Sequence, residues 1–243
     1  MLTTIQYGSQ KLKINLSEPL DISMPLRMSK SNVIAWYQKA PKFKKIRRVS
    51  KNDSTNFNSI SFIPHAHGTH TECVGHITKE FHSINKNLKQ FFFLAEVVTV
   101  APEKLGKDFV ISKKQLQFVL GNKKREAIII RTLPNTKEKL STNYSDTNAP
   151  YLLEAAVIYL KEKGIEHLLI DLPSVDKEKD DGKLLAHNAF WNTKGKIRFN
   201  ATITELIFVP NSVADGKYFL NLQIAPFENN ATPSKPILYQ VLN

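Results

Sequence analysis

The chain has 243 residues, with 34 Lys plus Arg against 22 Asp plus Glu, a formal net charge of +12. An apolar content of 42% is enough to bury a sizeable core and excludes wholesale disorder, and no apolar run approaches the ~18 residues of a membrane span. The single cysteine, Cys73, excludes an internal disulfide; with no apolar leader in MLTTIQYGSQKLKINL, a cytoplasmic protein is expected.

In chain order, residues 12–16 read as a first strand. The segment 39–51, KAPKFKKIRRVSK, then gathers Lys39, Lys42, Lys44, Lys45, Arg47, Arg48 and Lys51 without one acid, leaving 27 basic against 22 acidic residues elsewhere. Such a run reads as a polyanion patch or as a solvated loop and strand edge, where lysine discourages edge pairing. No helix-turn-helix, zinc finger or RNP-like string accompanies it, so the solvated edge is expected and nucleic acid is not an expected partner.

Further strands are predicted over 59–63, 91–100, 127–131, 168–171, 202–209 and 218–225. Several mix Val, Ile, Phe and Thr without strict alternation, the pattern of strands covered on both faces. A helix over 112–120 opens on a Ser cap, with Leu116, Val119 and Leu120 on one side. A second over 150–163 opens on Pro150, places Leu153, Ala156, Val157 and Leu160 on one face, and ends at Gly164. The expectation is one mixed α/β domain over residues 1–243.

Four of the seven histidines crowd into HAHGTHTECVGH as His65, His67, His70 and His76, with Glu72 among them. Imidazoles packed so closely repel on protonation, and a divalent metal resolves that conflict. His70 and Glu72, two apart, point the same way from an extended backbone. Glu72 and His76, four apart, share a face if the chain turns helical after Thr71. Gly68 lets backbone pass close to a site, and the adjoining Thr69 can hydrogen-bond a ligand group. A mixed imidazole and carboxylate set suits Zn or Mn better than Ca or Mg.

At these residues the chain resembles the cyclase family, which includes bacterial kynurenine formamidase and isatin hydrolase. The family signature H-x-G-T-H-x-D-x-P-x-H is matched by GTHTECVGH at 68–76. IDLPSVD at 170–176, His187 in LLAHNAFW, Glu205 in ITELI, the closing stretch 216–241 and DISMPL at 21–26 match in order, so the similarity spans nearly the whole chain. It implies a swivelling β/β/α fold with a mixed sheet or barrel core and flanking helices, assembled as a homodimer or higher homo-oligomer. It also implies a metal-dependent hydrolase of a carbon–nitrogen bond in a small amide, formamide or lactam. In that reading His70 ligates a first Zn or Mn ion, Glu72 bridges two ions, His187 binds the second, Glu205 contacts one or both, and His76 carries protons. A metal-activated hydroxide attacks the carbonyl while the imidazole protonates the leaving nitrogen. A noncatalytic metal- or ligand-binding member of the family is the alternative, with polyanion binding through 39–51 behind it.

Three positions depart from the signature. Ala66 stands where the family's first histidine does, so His65 or His67 substitutes. His65 is preferred, because His67 beside Gly68 points away from His70 in an extended strand. The bridging Asp is Glu72, and the motif Pro is Val74. The His187-to-Glu205 gap is long, lengthening a loop around 192–198 near the pocket. Cys73, His82 and His167 read as packing or surface residues, Trp36 and Tyr37 as hydrophobic anchors or a pocket cover, and Ser174 as a loop residue without the nucleophile elbow.

Overall fold

The branched aliphatic runs build the centre of a computed structural model that describes residues 1–242. Phe92–Val100, Ala127–Thr132, His167–Ile170 and Thr202–Glu205 lie side by side in parallel, in a register that aligns Ala95, Ala127, His167 and Thr202. Gly216–Ile224 pairs antiparallel with Phe92–Val100 and with Ala231–Leu242. His70–Glu72 pairs antiparallel with Thr202–Glu205 on one side and Ala231–Leu242 on the other, which closes the seven strands into a ring. Closure leaves these strands no free edge. An N-terminal hairpin, Leu2–Tyr7 with Gln10–Asn15, and the short Leu20–Asp21 strand extend the sheet from Ala231–Leu242.

Alternate residues of each central strand enter different clusters. Ala95, Val97, Ala127, Ile129, Leu169 and Leu220 pack inside the ring. Val98, Ile128, Ile130, Leu168, Ile170 and Ile203 pack outside it, beneath helices Lys113–Leu120, Glu154–Glu162 and Leu185–Trp191. Both faces of Ala127–Thr132 are therefore buried, which is why the sequence shows no polar alternation there. Ser112 caps its helix with a complete capping box: its hydroxyl accepts the Gln115 amide while the Gln115 side chain accepts the Ser112 amide.

The largest shifts from the predicted boundaries are two. Pro150 does not open a helix, because Tyr151–Leu152 pairs in parallel with Val110 and Ile111 and the helix starts at Glu154. The strand predicted over 202–209 stops at Glu205, where Leu206 turns to a φ of 53°. The basic segment forms the strand Lys42–Arg47, paired with Phe57–Ser61 in a separate two-stranded sheet. Among the described residues, no helix is long and apolar enough to cross a membrane.

His167 lies outside the histidine cluster, 2% exposed, with Nδ1 2.9 Å from the Thr202 hydroxyl and the Phe93 ring centroid at 3.8 Å. Burial, with Arg198 nearby, holds its pKa down to about 3 from 6.5. The unfolded chain binds that proton as pH falls through 6.5 while the folded chain does not. The group's support for the fold is thus complete above 6.5 and declines as pH falls towards 3. Urea unfolding between pH 6 and 4 should show wild type losing about 1.4 kcal/mol more per pH unit than His167→Gln. Equal slopes would mean that His167 titrates normally in the fold.

Candidate functional site

The alternation of His70–Glu72 places His70 and Glu72 on the outer face of the ring, beside Glu205 of the neighbouring strand. Thr71 faces the other way, and its hydroxyl hydrogen-bonds that of Thr204 at 2.8 Å. The chain then tightens into a 3-10 turn, Val74–His76, which brings His76 back over Glu72 with Nε2 3.8 Å from Oε2. Gly75 is required in that turn, because a Cβ there would lie 2.3 Å from the His82 carbonyl oxygen.

His65 arrives from a single helical turn, Pro64–His67, with Nδ1 3.1 Å from Glu72 Oε2. The helix corrects the extended geometry expected here, yet it separates His65 from His67 just as firmly, since residues two apart in a helix point roughly 200° from each other. His67 faces away from the cluster: Nδ1 accepts the Ile63 amide and Nε2 lies 2.8 Å from the Lys39 carbonyl. Trp36 Nε1 donates to the His65 carbonyl at 3.1 Å and so anchors this turn. Thr69 is also structural rather than open to a ligand. Its hydroxyl accepts the Met24 amide and donates to the Leu206 carbonyl.

His187 comes from 115 residues away. It sits in the first turn of Leu185–Trp191, with Nε2 3.1 Å from Glu72 Oε1 and 3.8 Å from Glu205 Oε1. Asp176 positions it: one carboxylate accepts the Ala186 and His187 amides at 2.7 and 3.0 Å, and its Oδ2 lies 2.6 Å from His187 Nδ1. A carboxylate behind an imidazole fixes the ring's tautomer and raises its basicity. Asp176 was part of the IDLPSVD string but carried no assigned role. Its signal was an acid within a dozen residues of a candidate ligand, legible only once the loop is seen to fold back.

The structure therefore brings together His65, His70, Glu72, His76, His187 and Glu205. Two overlapping donor sets, His65–Glu72–His76 and His70–Glu72–Glu205, have ligand atoms within 4.8 Å of one another and share Glu72. His70 Nε2 and Glu72 Oε2 are buried and lack an aligned hydrogen-bond partner, although Glu205 Oε2 stands 3.4 Å from the former. Buried polar atoms that converge without satisfying one another fit a cation at the centre of the set.

The titration behaviour agrees. Burial holds His70 down to about 4, and does the same for His76. Burial beside Glu72 pushes Glu205 up to about 8, whereas Glu72, against its own burial, is held well below the carboxylate range by His76, His187 and His65. His187 is likewise buried, yet Asp176 and Glu72 raise it to about 10. Glu72 and Glu205 both approach His187 Nε2, at 3.1 and 3.8 Å.

Other candidates lie outside the cluster. Cys73 is buried, its Sγ 3.3 Å from the His82 carbonyl, and burial raises its pKa to about 11. Ser174 Oγ accepts the Asp176 amide. The long loop after Trp191 is tied down by Arg198, whose guanidinium donates to the Phe190 and Ile165 carbonyls.

A closed mixed barrel with helices outside and a buried His/Glu cluster on its outer face defines an α/β protein whose donor set can hold a divalent ion. The chain belongs to the putative cyclase family, whose sequence model matches residues 14–177. It is 26% identical over 226 residues to a kynurenine formamidase of Bacillus thuringiensis (strain Al Hakam), covering 91% of this chain and 97% of the relative. Its fold is similar to that of isatin hydrolase A from Labrenzia aggregata, with TM-score 0.73, 12% identity, and 93% and 94% of the two chains covered. A potential metal-dependent hydrolase with cyclase activity aligns with TM-score 0.69 and 16% identity over 93% of this chain and 99% of that one.

Proposed function

We propose that this chain is a metal-dependent hydrolase that cleaves the carbon–nitrogen bond of a small amide, with an arylformamide or a lactam as substrate class. The observation that carries this reading is the convergence of four imidazoles and two carboxylates in which His70 Nε2 and Glu72 Oε2 are buried without an aligned hydrogen-bond partner. The similarity to kynurenine formamidase over 91% of the chain supports the choice of bond.

His65, His70, Glu72, His187 and Glu205 would hold one or two Zn- or Mn-class ions, with Glu72 facing both donor sets. When bound, such an ion supplies Lewis acidity and a water that ionises near ~7 instead of ~16. Asp176 holds His187 in one tautomer with Nε2 aimed at Glu72. The Val175 amide donates to Glu205 Oε1 at 3.0 Å, fixing that carboxylate. His76 has the most exposed side chain of the six, at 31%, which supports a role in meeting substrate. Its ring takes the proton released as the carbonyl is attacked and returns it to the leaving nitrogen, which departs as a neutral amine.

Tag-free protein reconstituted with Zn or Mn should hydrolyse N-formylaniline-type substrates or isatin. Chelation should remove that activity and re-addition of the ion should restore it. Absence of turnover with every such amide after full metal loading would overturn the hydrolase reading and leave the ligand-binding alternative.

A further inference from the structure

Three of the four clustered imidazoles are held from behind. His187 Nδ1 lies 2.6 Å from Asp176 Oδ2, His70 Nδ1 lies 3.0 Å from the Gly68 carbonyl oxygen, and His65 Nε2 lies 3.1 Å from Asn230 Oδ1. A neutral imidazole that gives a lone pair to a cation carries its proton on the other nitrogen and needs an acceptor there. His76 is different. Among the described residues no hydrogen-bond partner holds either of its ring nitrogens, and its nearest carboxylate oxygen is Glu72 Oε2 at 3.8 Å.

His65 also differs from His70 and His187 in the atom it turns inward. Those two present Nε2 to the carboxylates, whereas His65 presents Nδ1, 3.1 Å from Glu72 Oε2. Ala66 occupies the position of the signature histidine, so this imidazole enters one residue early, from the helical turn Pro64–His67. Rotating its ring by 180° about the Cβ–Cγ bond would put Cδ2 in place of Nδ1 and Cε1 in place of Nε2, and the cluster would lose a donor. That torsion is broad and roughly two-fold, so a neighbour must select the orientation. The Trp36 bond to the His65 carbonyl fixes only the backbone. The stack on the His76 ring, 4.2 Å between centroids and 28° between planes, fixes the ring plane and is blind to its edges. Glu72 Oε2 selects the orientation only for a ring protonated on Nδ1, which has no lone pair to give inward. Asn230 selects it for the tautomer that does.

We infer that Asn230 is a positioning residue whose side-chain carbonyl accepts the His65 Nε2 proton and so makes His65 an Nδ1 donor to a bound ion, an inference that rests on the metal centre proposed above. The fold supplies Asn230 as a fixed acceptor. Ala231 pairs opposite Glu72 in the register that closes the ring, which sets residue 230 beside the cluster. The Asn230 carbonyl accepts the Cys73 amide at 3.1 Å, the Asn229 carbonyl accepts the Ile84 amide at 2.9 Å, and the Asn229 side chain donates to the Ala231 carbonyl at 2.9 Å. The backbone is thus tied on both sides of the amide. A neutral acceptor orients His65 without adding a further carboxylate to a cluster that already holds Glu72 and Glu205, with Asp176 behind His187.

The test titrates the full-length, tag-free chain with Zn against a chromophoric chelator, so its readout is affinity and does not depend on turnover. Asn230→Leu, close in size but without an acceptor, should weaken binding by about 10–100-fold, and Asn230→Asp, which keeps the acceptor, should restore it. In a His65→Ala background, Asn230→Leu should cost nothing further, because the ring it orients is gone. Nitrogen NMR of the Zn-loaded wild type should show His65 protonated on Nε2, with Nδ1 shifted by the ion. A His65 protonated on Nδ1, an Asn230→Leu that binds Zn as tightly as wild type, or an Asn230→Asp as weak as Asn230→Leu would each overturn the inference. So would an equal loss from Asn230→Leu with and without His65, which would mark a general loss of packing. Zn held through Nδ1 in a protein that turns over no amide would sink the hydrolase reading and leave this assignment standing. An active enzyme whose Zn affinity ignores Asn230 would do the reverse.

Discussion

Glu72→Ala is expected to lose both metal and turnover, each by on the order of 10³-fold or more. Glu72 is the hub of the cluster. Oε1 lies 3.1 Å from His187 Nε2, while Oε2 lies 3.1 Å from His65 Nδ1 and 3.8 Å from His76 Nε2. Alanine removes the one side chain common to both donor sets. Loss of a group that merely orients a metal ligand costs about 10–100-fold in affinity, so loss of a shared carboxylate costs more. The extra methylene relative to the family's Asp gives a second variant. Glu72→Asp should retain part of the metal affinity, whereas Glu72→Gln should not, because it keeps the length and loses the charge. Isothermal titration with Zn or Mn, run beside the activity assay, checks both. Tight, stoichiometric metal binding in Glu72→Ala would remove this residue from the centre.

His76→Ala should separate the two properties. His76 is the cluster's most exposed imidazole and belongs to one donor set only, at 3.8 Å from Glu72 Oε2. On the proposed role of proton carrier, removing it should lower kcat by about 10²–10⁴-fold, the usual worth of a positioned general acid and base. Metal content should stay near that of wild type, and the deficit should shrink for substrates whose leaving amine is a weaker base, since those need less help from an acid. Parallel loss of metal and activity would instead make His76 a ligand beside His65 and Glu72, which the spacing of that set also permits. Metal analysis of the purified variant distinguishes the two roles.

The cluster was legible in the sequence because its densest part is local. His65, His70, Glu72 and His76 fall within twelve residues, and the alternation of a strand followed by one tight turn suffices to converge three of them. His187 and Glu205 are different. Only the ordered resemblance pointed to them, since no local period connects residues more than a hundred positions apart. Their arrival depends on the ring closing through His70–Glu72, which pairs with strands on both sides. The structure places His65 beside Glu72 and turns His67 away, and it does so through a helical turn rather than the extended backbone expected there.

Strand identity was easier to read than strand extent. The buried aliphatic runs declared themselves, whereas their ends are set by tertiary events such as the left-handed Leu206 after Glu205. Pro150 misled for a related reason. Its preference for a first helical position is weak beside the hydrogen bonds that Tyr151 and Leu152 gain from a neighbouring strand. The basic segment was visible as charge, but a sequence does not show that it stands clear of the body with both faces exposed.

Metal stoichiometry is the most direct test of the centre itself. Tag-free protein, stripped with chelator and dialysed to equilibrium against Zn or Mn, should retain one or two ions per chain. X-ray absorption at the metal edge should show a first shell of mixed imidazole nitrogen and carboxylate oxygen. A chain that remains folded and retains no ion above background would contradict the account.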